Sequence, residues 1–254
     1  REWLYALCAA EYCSHDEDFE TFHLSAEQQA VFADEDSKAL MIGAFDILVG
    51  NVHGINAIAK AFKTGEGVNY GDFHPCVFQG TARFFKPSYK SNLLAKWMPK
   101  IPAATEKLEK GGRLCDVGCG KGFTLFEFCK LIPQLRVRGL EISNYCLNNS
   151  LPVVKPNIDL GCCSCLPYDS NSFDLAISIA TIHNLDINGV KRSLKELMRV
   201  SRNSFIKING FRNENEKNSL NKWNLVAKTI LHVSEWERIF EEVGYDREWE
   251  FFTP

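Results

Sequence analysis

The sequence predicts an α/β fold: a doubly wound, mainly parallel sheet preceded by a mostly helical N-terminal region. Three observations carry that expectation. From Gly111 onward, short apolar runs alternate with helical patterns, and such alternation builds right-handed βαβ units on a parallel sheet. Residues 174–179 form a largely apolar run, as a strand covered on both faces requires. Before Gly111 the apolar residues recur at helical spacing: Leu40, Ala44, Ile47, Leu48, then Ile55, Ile58, Ala59 and Phe62.

In chain order, residues 3–12 read as a helix, 14–20 as a polar turn, and 21–24 as a short returning strand. Ser25 caps the next short helix. Residues 38–62 are helical, bent or divided at Gly50 and Gly54. Residues 63–87 are rich in Gly, aromatics and His, which predicts an irregular segment with one short helix. A helix over 91–98 stops near Pro99 and Pro102.

Strands follow at 113–117, 137–141, 158–161, 174–179 and 205–208. The helix over 123–131 sits between the first two. The helix over 188–201 puts Val190, Leu194, Leu197 and Met198 on one face. Residues 209–221 read as a polar loop. Ser234 and Glu237 predict a capping box for a helix ending at Gly244, and 249–252 is a final strand. The most natural division is 1–107 and 108–254.

The chain has 254 residues, and about 150 residues per domain gives one to two domains. That length buries a core without a disulfide or metal staple. With 45% hydrophobic and 24% charged residues, wholesale disorder is excluded. A formal net charge of -3 makes non-specific binding to nucleic acid or an anionic membrane unfavourable. The longest apolar stretch, 39–52, is interrupted by Asp46 and too short to span a bilayer. The chain starts at Arg1 with no apolar signal region, which reads as a fragment or a trimmed chain. The ten cysteines, several inside apolar runs, then read as reduced thiols in the cytoplasm. Cys162, Cys163 and Cys165 lack a matching second pair, so no metal is expected.

The strongest local signal is Leu114-Cys115-Asp116-Val117-Gly118-Cys119-Gly120-Lys121-Gly122, placed where a strand hands over to a helix. Glycines there let the backbone turn tightly and approach a ligand. Glu141 lies 21 residues beyond Gly120, at the end of the next strand, where an acid can hold ribose hydroxyls. A dinucleotide fingerprint would place its third glycine at residue 123, which is Phe123. Asp116 would repel a pyrophosphate and suits a ligand with a cationic amino group.

On these residues the sequence resembles the class I S-adenosylmethionine-dependent methyltransferases. Leu114 to Gly122 matches their first motif, and Glu141 their ribose-binding acid. The run Leu166-Pro167-Tyr168-Asp169-Ser170-Asn171-Ser172-Phe173-Asp174 resembles the approach to their fourth strand. Thr181-Ile182-His183-Asn184-Leu185 resembles the segment after it. The resemblance spans residues 108–252 and implies a Rossmann-like sheet that binds S-adenosyl-L-methionine. It implies cofactor contacts from Asp116, Gly118, Cys119, Gly120, Gly122, Glu141, Ile142, Cys162, Cys163, Ile179 and Ala180. Three departures stand out. Cys162 occupies a position where an acid often binds adenine. The usual Gly-containing turn before the fifth strand is Ser201-Arg202-Asn203-Ser204. One strand, rather than two, follows Gly244.

Residues 3–24 resemble the recognition helix and wing of a winged-helix module. Through residue 36, ten carboxylates face one arginine and no lysine, a charge balance that opposes DNA. In small-molecule methyltransferases a module of this kind serves dimerisation and covers the pocket, so a homodimer and a lid role for 1–107 are the expectations. A ligand-binding winged-helix regulator without catalysis and an NAD-dependent oxidoreductase are the alternatives.

Methyl transfer needs alignment of the nucleophile and exclusion of water. A base is needed only when the nucleophile arrives protonated. His183 is the candidate catalytic base, against the plainer reading that it packs or positions the substrate. Tyr70, His74 and Arg83 are candidate substrate-binding residues, with packing an equal alternative for each. The acceptor is expected to be a small molecule with an O, N or C nucleophile.

Overall fold

The computed structural model describes all residues except 69–71, 225 and 254, and the side chains of residues 90 and 94 are likewise outside it. Tyr70 therefore lies outside the described residues. Packing separates two compact units, Arg1–Asn92 and Leu93–Pro254.

The first unit opens with α1 (Glu2–Ala9) and an antiparallel hairpin, β1 (Ser14–Asp16) with β2 (Thr21–His23). Helix α2 (Ala26–Phe32) begins as expected at Ser25. The Gln28 N–H donates to Ser25 Oγ, and Gln28 Oε1 accepts from the Ser25 N–H, a reciprocal cap that satisfies two end groups. The long apolar stretch forms α3 (Gly43–His53) and α4 (Ile55–Thr64), divided at Gly54.

Gly50, expected to bend or divide this stretch, instead lies buried inside α3. The expectation of an irregular segment with one short helix over 63–87 is corrected from Pro75 onward: α5 (Pro75–Asn92) is a single 18-residue helix with Pro87 inside it. One cause explains both differences. A Cβ on Gly43 would sit 2.5 Å from the Gly80 carbonyl oxygen, and one on Gly50 would sit 2.6 Å from the Val77 nitrogen. These glycines let α3 and α5 approach backbone to backbone, so they serve packing rather than chain breaking.

In the second unit, the predicted helix over 91–98 is replaced by a π-helical turn, Leu93–Trp97, and a 3-10 turn, Met98–Lys100. Helix α6 (Pro102–Glu109) then leads to the sheet. Strands β3 (Arg113–Val117), β4 (Arg136–Glu141), β5 (Ile158–Leu160), β6 (Phe173–Ile179), β7 (Ser201–Asn209) and β8 (Glu248–Phe252) form it, in the order β5-β4-β3-β6-β7-β8. Every neighbouring pair is parallel. Helices α7 (Phe123–Leu131), α8 (Asn144–Asn148), α9 (Ile187–Val200), α10 (Glu214–Trp223) and α11 (Val233–Val243) make the connections.

The doubly wound expectation holds. The chain steps outward from β3 to β5, then returns to β6 on the other side of β3. The switch point lies between β3 and β6, and ligands of open α/β sheets bind outside the strand ends at such a point. The core beneath it joins Val117 and Leu140 to Leu194 and Leu197 of α9 and to Trp236 and Phe240 of α11.

Three further local expectations are corrected. Residues 201–204 continue β7 rather than forming a turn, because α9 ends at Val200 and its chain enters the sheet directly. Part of the predicted polar loop over 209–221 is α10, capped by Asn213, whose Oδ1 accepts from the Glu216 N–H at 3.0 Å. The last helix is capped by His232 and Glu235 rather than Ser234 and Glu237. His232 Nδ1 accepts from the Ser234 N–H, and Glu235 Oε2 from the His232 N–H. Among the described residues no helix is long and apolar enough to cross a membrane.

Candidate active site

The glycine loop leaves β3 at Val117 and enters α7 at Phe123. Gly118, Gly120 and Gly122 all adopt the left-handed backbone, with φ of 85°, 57° and 81°. Gly118 has a second reason to lack a side chain: its Cβ would lie 2.2 Å from Thr181 Oγ1, across the switch point. A Cβ on Gly120 would meet nothing within 4 Å, so the loop presents open space there. The Gly118 and Cys119 N–H groups both donate to the Leu140 carbonyl, at 2.8 and 3.1 Å, fastening the loop to the end of β4.

Glu141 closes that end. Its Oε2 accepts from the Gly120 N–H at 2.8 Å and its Oε1 from the Ser143 N–H at 2.9 Å. The carboxylate is thereby fixed beside the loop, with lone pairs remaining for two hydroxyls of a ligand. Asp116 is buried on β3. Burial, and then the nearby charge of Glu141, push its carboxyl up to about 7. A cationic ligand group would supply the missing countercharge.

The other expected cofactor residues collect on the same edge. Cys119 is buried, and burial pushes its thiol up, so it packs as a neutral side chain. Ile142 follows Glu141 and is largely exposed. Cys162 and Cys163 lie in the turn after β5, where the Cys165 N–H donates to the Cys162 carbonyl at 3.0 Å. Burial pushes the Cys162 thiol up, but hydrogen bonding to Ser164 and the charge of Arg192 outweigh it and hold the thiol below its ordinary value. Cys163 points into the core and accepts from Ser193 Oγ at 3.5 Å. Ile179 ends β6. Ala180 takes φ of 54°, a left-handed conformation that strains a residue with a Cβ, and its N–H donates to the Lys207 carbonyl at 2.8 Å.

His183 sits in a 3-10 turn, Ile182–Asn184, just past this strain. Burial lowers its pKa to about 4, so the ring is neutral in the physiological range. The Asn209 N–H donates to its Nδ1, a long bond of 3.4 Å. With Nδ1 accepting, the ring proton is on Nε2.

The expected substrate residues belong to the first unit. His74 stacks on His53 with centroids 4.4 Å apart. The Arg83 guanidinium is engaged by Glu35 and by Asp46, the latter at 3.3 Å. Among the described residues, no group of three or more His, Cys, Asp or Glu side chains is placed to hold a metal ion.

Residues 115–204 match the family model described as a methyltransferase domain. This region is a class I methyltransferase domain. Its family uses S-adenosyl-L-methionine, and the chain is an S-adenosylmethionine-dependent methyltransferase. Solved structures agree on the fold. Mitomycin 7-O-methyltransferase MmcR is 14% identical with a TM-score of 0.62, covering 95% of this chain and 76% of its own. Human N-acetylserotonin methyltransferase, solved in complex with the cofactor, is 13% identical with a TM-score of 0.58, covering 95% and 75%. The pyocyanin biosynthetic protein PhzM is 12% identical with a TM-score of 0.60, covering 94% and 76%. No curated protein matches the sequence.

The methyltransferase domain fits its cofactor on its own chemistry. Two carboxylates flank a glycine loop that is open at Gly120, a set of acceptors suited to an ammonium group and a ribose diol and hostile to pyrophosphate. When bound, the cofactor supplies an electrophilic methyl group on a sulfonium. Sequence reasoning missed the buried Asn209, whose backbone N–H donates to His183 Nδ1. The available signal was a polar residue following the apolar strand run 205–208, at the edge of the sheet where ligands bind.

Proposed function

We propose that this methyltransferase acts on a small-molecule acceptor, attacking through an O, N or C nucleophile. The cofactor's methionine end would meet Asp116, and its ribose Glu141. The glycine loop would pass beneath it, and the turn at Cys162 and Cys163 would border the adenine. In the transfer, a nucleophile lone pair forms a bond to the methyl carbon as the carbon–sulfur bond breaks and its electrons pass to sulfur. The chain's task is to hold the two partners in line and dry. His183, with its ring proton on Nε2, suits positioning of the acceptor by donation better than proton abstraction. Tyr70, His74 and Arg83 remain proposed acceptor-side residues in the N-terminal region, for which we propose a winged-helix-like dimerisation and lid role.

The observation that carries the reading is the Glu141 carboxylate fixed by the Gly120 and Ser143 N–H groups beside an open glycine loop. Calorimetric titration with S-adenosylhomocysteine tests it. A micromolar constant is expected, weakened at least about tenfold, or 1.4 kcal/mol, in Glu141→Ala. Equal affinities would show the ribose to be misplaced. Solved neighbours named for small-molecule methylation share the fold, which supports the acceptor class.

A further inference from the structure

Asn209 ends β7 with a side chain that is fully buried, and neither its Oδ1 nor its Nδ2 has a hydrogen-bond partner among the described residues. Leaving such an amide unpaired costs about 1–3 kcal/mol per group, and native proteins seldom tolerate it without a reason. The surroundings supply one. Strand alternation puts Asn209 on the face shared by Phe205 and Lys207, opposite the Ile206 and Ile208 that enter the core. Its backbone N–H orients His183, and its register partner is Phe252. The rings of His183 and Trp223 both pack near Phe252, at 6.2 and 5.5 Å. Next to His183 in sequence, Asn184 also buries an unpaired Oδ1.

We propose that the Asn209 amide is the acceptor-recognition group, binding a neutral planar molecule that presents a donor and an acceptor side by side. This rests on the methyltransferase reading and narrows its acceptor class. The amide offers both hydrogen-bonding senses and no charge. The neighbouring imidazole is neutral, and Lys207, on the same strand face as Asn209, is already paired with Glu250 at 3.1 Å. The Trp223 and Phe252 rings, packed edge to face, supply apolar surface for a ring-bearing acceptor. A site built to hydrogen-bond its substrate rejects analogues that lack the matching groups. The amide is sealed from solvent in this state, so an occupant displaces side chains on entry and is enclosed once seated, as methyl transfer requires.

Salicylamide, a neutral planar ring bearing a hydroxyl and an amide, is the probe, with toluene as the apolar control. Both are titrated into the protein holding S-adenosylhomocysteine, with side-chain amide 15N–1H resonances observed. Salicylamide is expected to shift the Asn209 resonance, while toluene leaves it in place. Asn209→Leu removes the unpaired groups, so the ligand-free fold is expected to melt no lower, the homocysteine product to bind unchanged, and salicylamide to bind at least tenfold more weakly. An unshifted Asn209 resonance, equal salicylamide affinity in Asn209→Leu, or a slowly exchanging water on the amide that salicylamide leaves in place would each overturn the proposal. Because the wild-type spectrum is read directly, the test survives a variant that folds poorly. Failure of the homocysteine product to bind the wild type would instead strike the methyltransferase reading, leaving the salicylamide result to decide Asn209.

Discussion

Asp116 is the residue whose chemistry depends most on the ligand. Its carboxyl is raised to about 7 from an ordinary value near 3.8 by burial and by Glu141. A raised carboxyl keeps its proton in the folded state, so its ionisation subtracts stability as pH rises from about 4 through 7. A cationic amino group would bind the ionised form. The affinity for S-adenosylhomocysteine is therefore expected to fall as pH drops below 7, approaching tenfold per unit, with proton release measurable by calorimetry in buffers of different ionisation heat. Asp116→Asn should flatten that profile and weaken binding at pH 8; a wild-type affinity constant from pH 5.5 to 8 would show that Asp116 does not meet the amine. His183 has the opposite sign. Its lowered pKa, about 4, makes the folded state resist protonation, and stability is lost as pH falls from about 6.5 through 4.

Among the elements, the turn between β3 and α7 separates two uses of glycine. Gly118→Ala must accept φ of 85° and a collision with the Thr181 side chain, so it should cost about 2 kcal/mol or more in urea unfolding. Gly120→Ala meets nothing in the protein and should cost only about 1 kcal/mol, from the left-handed backbone alone. It projects a methyl group into the proposed cofactor space, so its homocysteine-product affinity should drop at least tenfold. A Gly120→Ala protein that binds normally would place the cofactor off this loop. In the last helix, His232→Ala removes the cap on Ser234 and is expected to cost about 1 kcal/mol.

At the scale of the whole molecule, α3 presents Phe45, Leu48, Val49 and Val52 as exposed side chains, followed by Ile55 at the start of α4. A stripe of this kind supports the proposed homodimer. Sedimentation should give a dimer for the wild type and a monomer for the Leu48→Glu, Val52→Glu double variant, with homocysteine-product binding retained. A monomeric wild type would remove the dimer proposal. The strands, the glycine loop and Glu141 were legible in sequence because each follows from local signals: apolar runs of the right length, glycines at a turn, and an acid one βαβ unit downstream. Helix α5 and the role of Gly50 were not legible, since glycine reads as a breaker until a second helix lies against it. Asn209 likewise looks like a loop residue until β7 extends to it, and its importance comes from what surrounds it. Local composition and periodicity thus determined the doubly wound core and the cofactor edge, because strands and turns are specified by neighbours in the chain. Which glycines pack, which amide is left unpaired and which carboxyl is buried were decided only by tertiary structure, because desolvation and close approach depend on atoms distant in sequence.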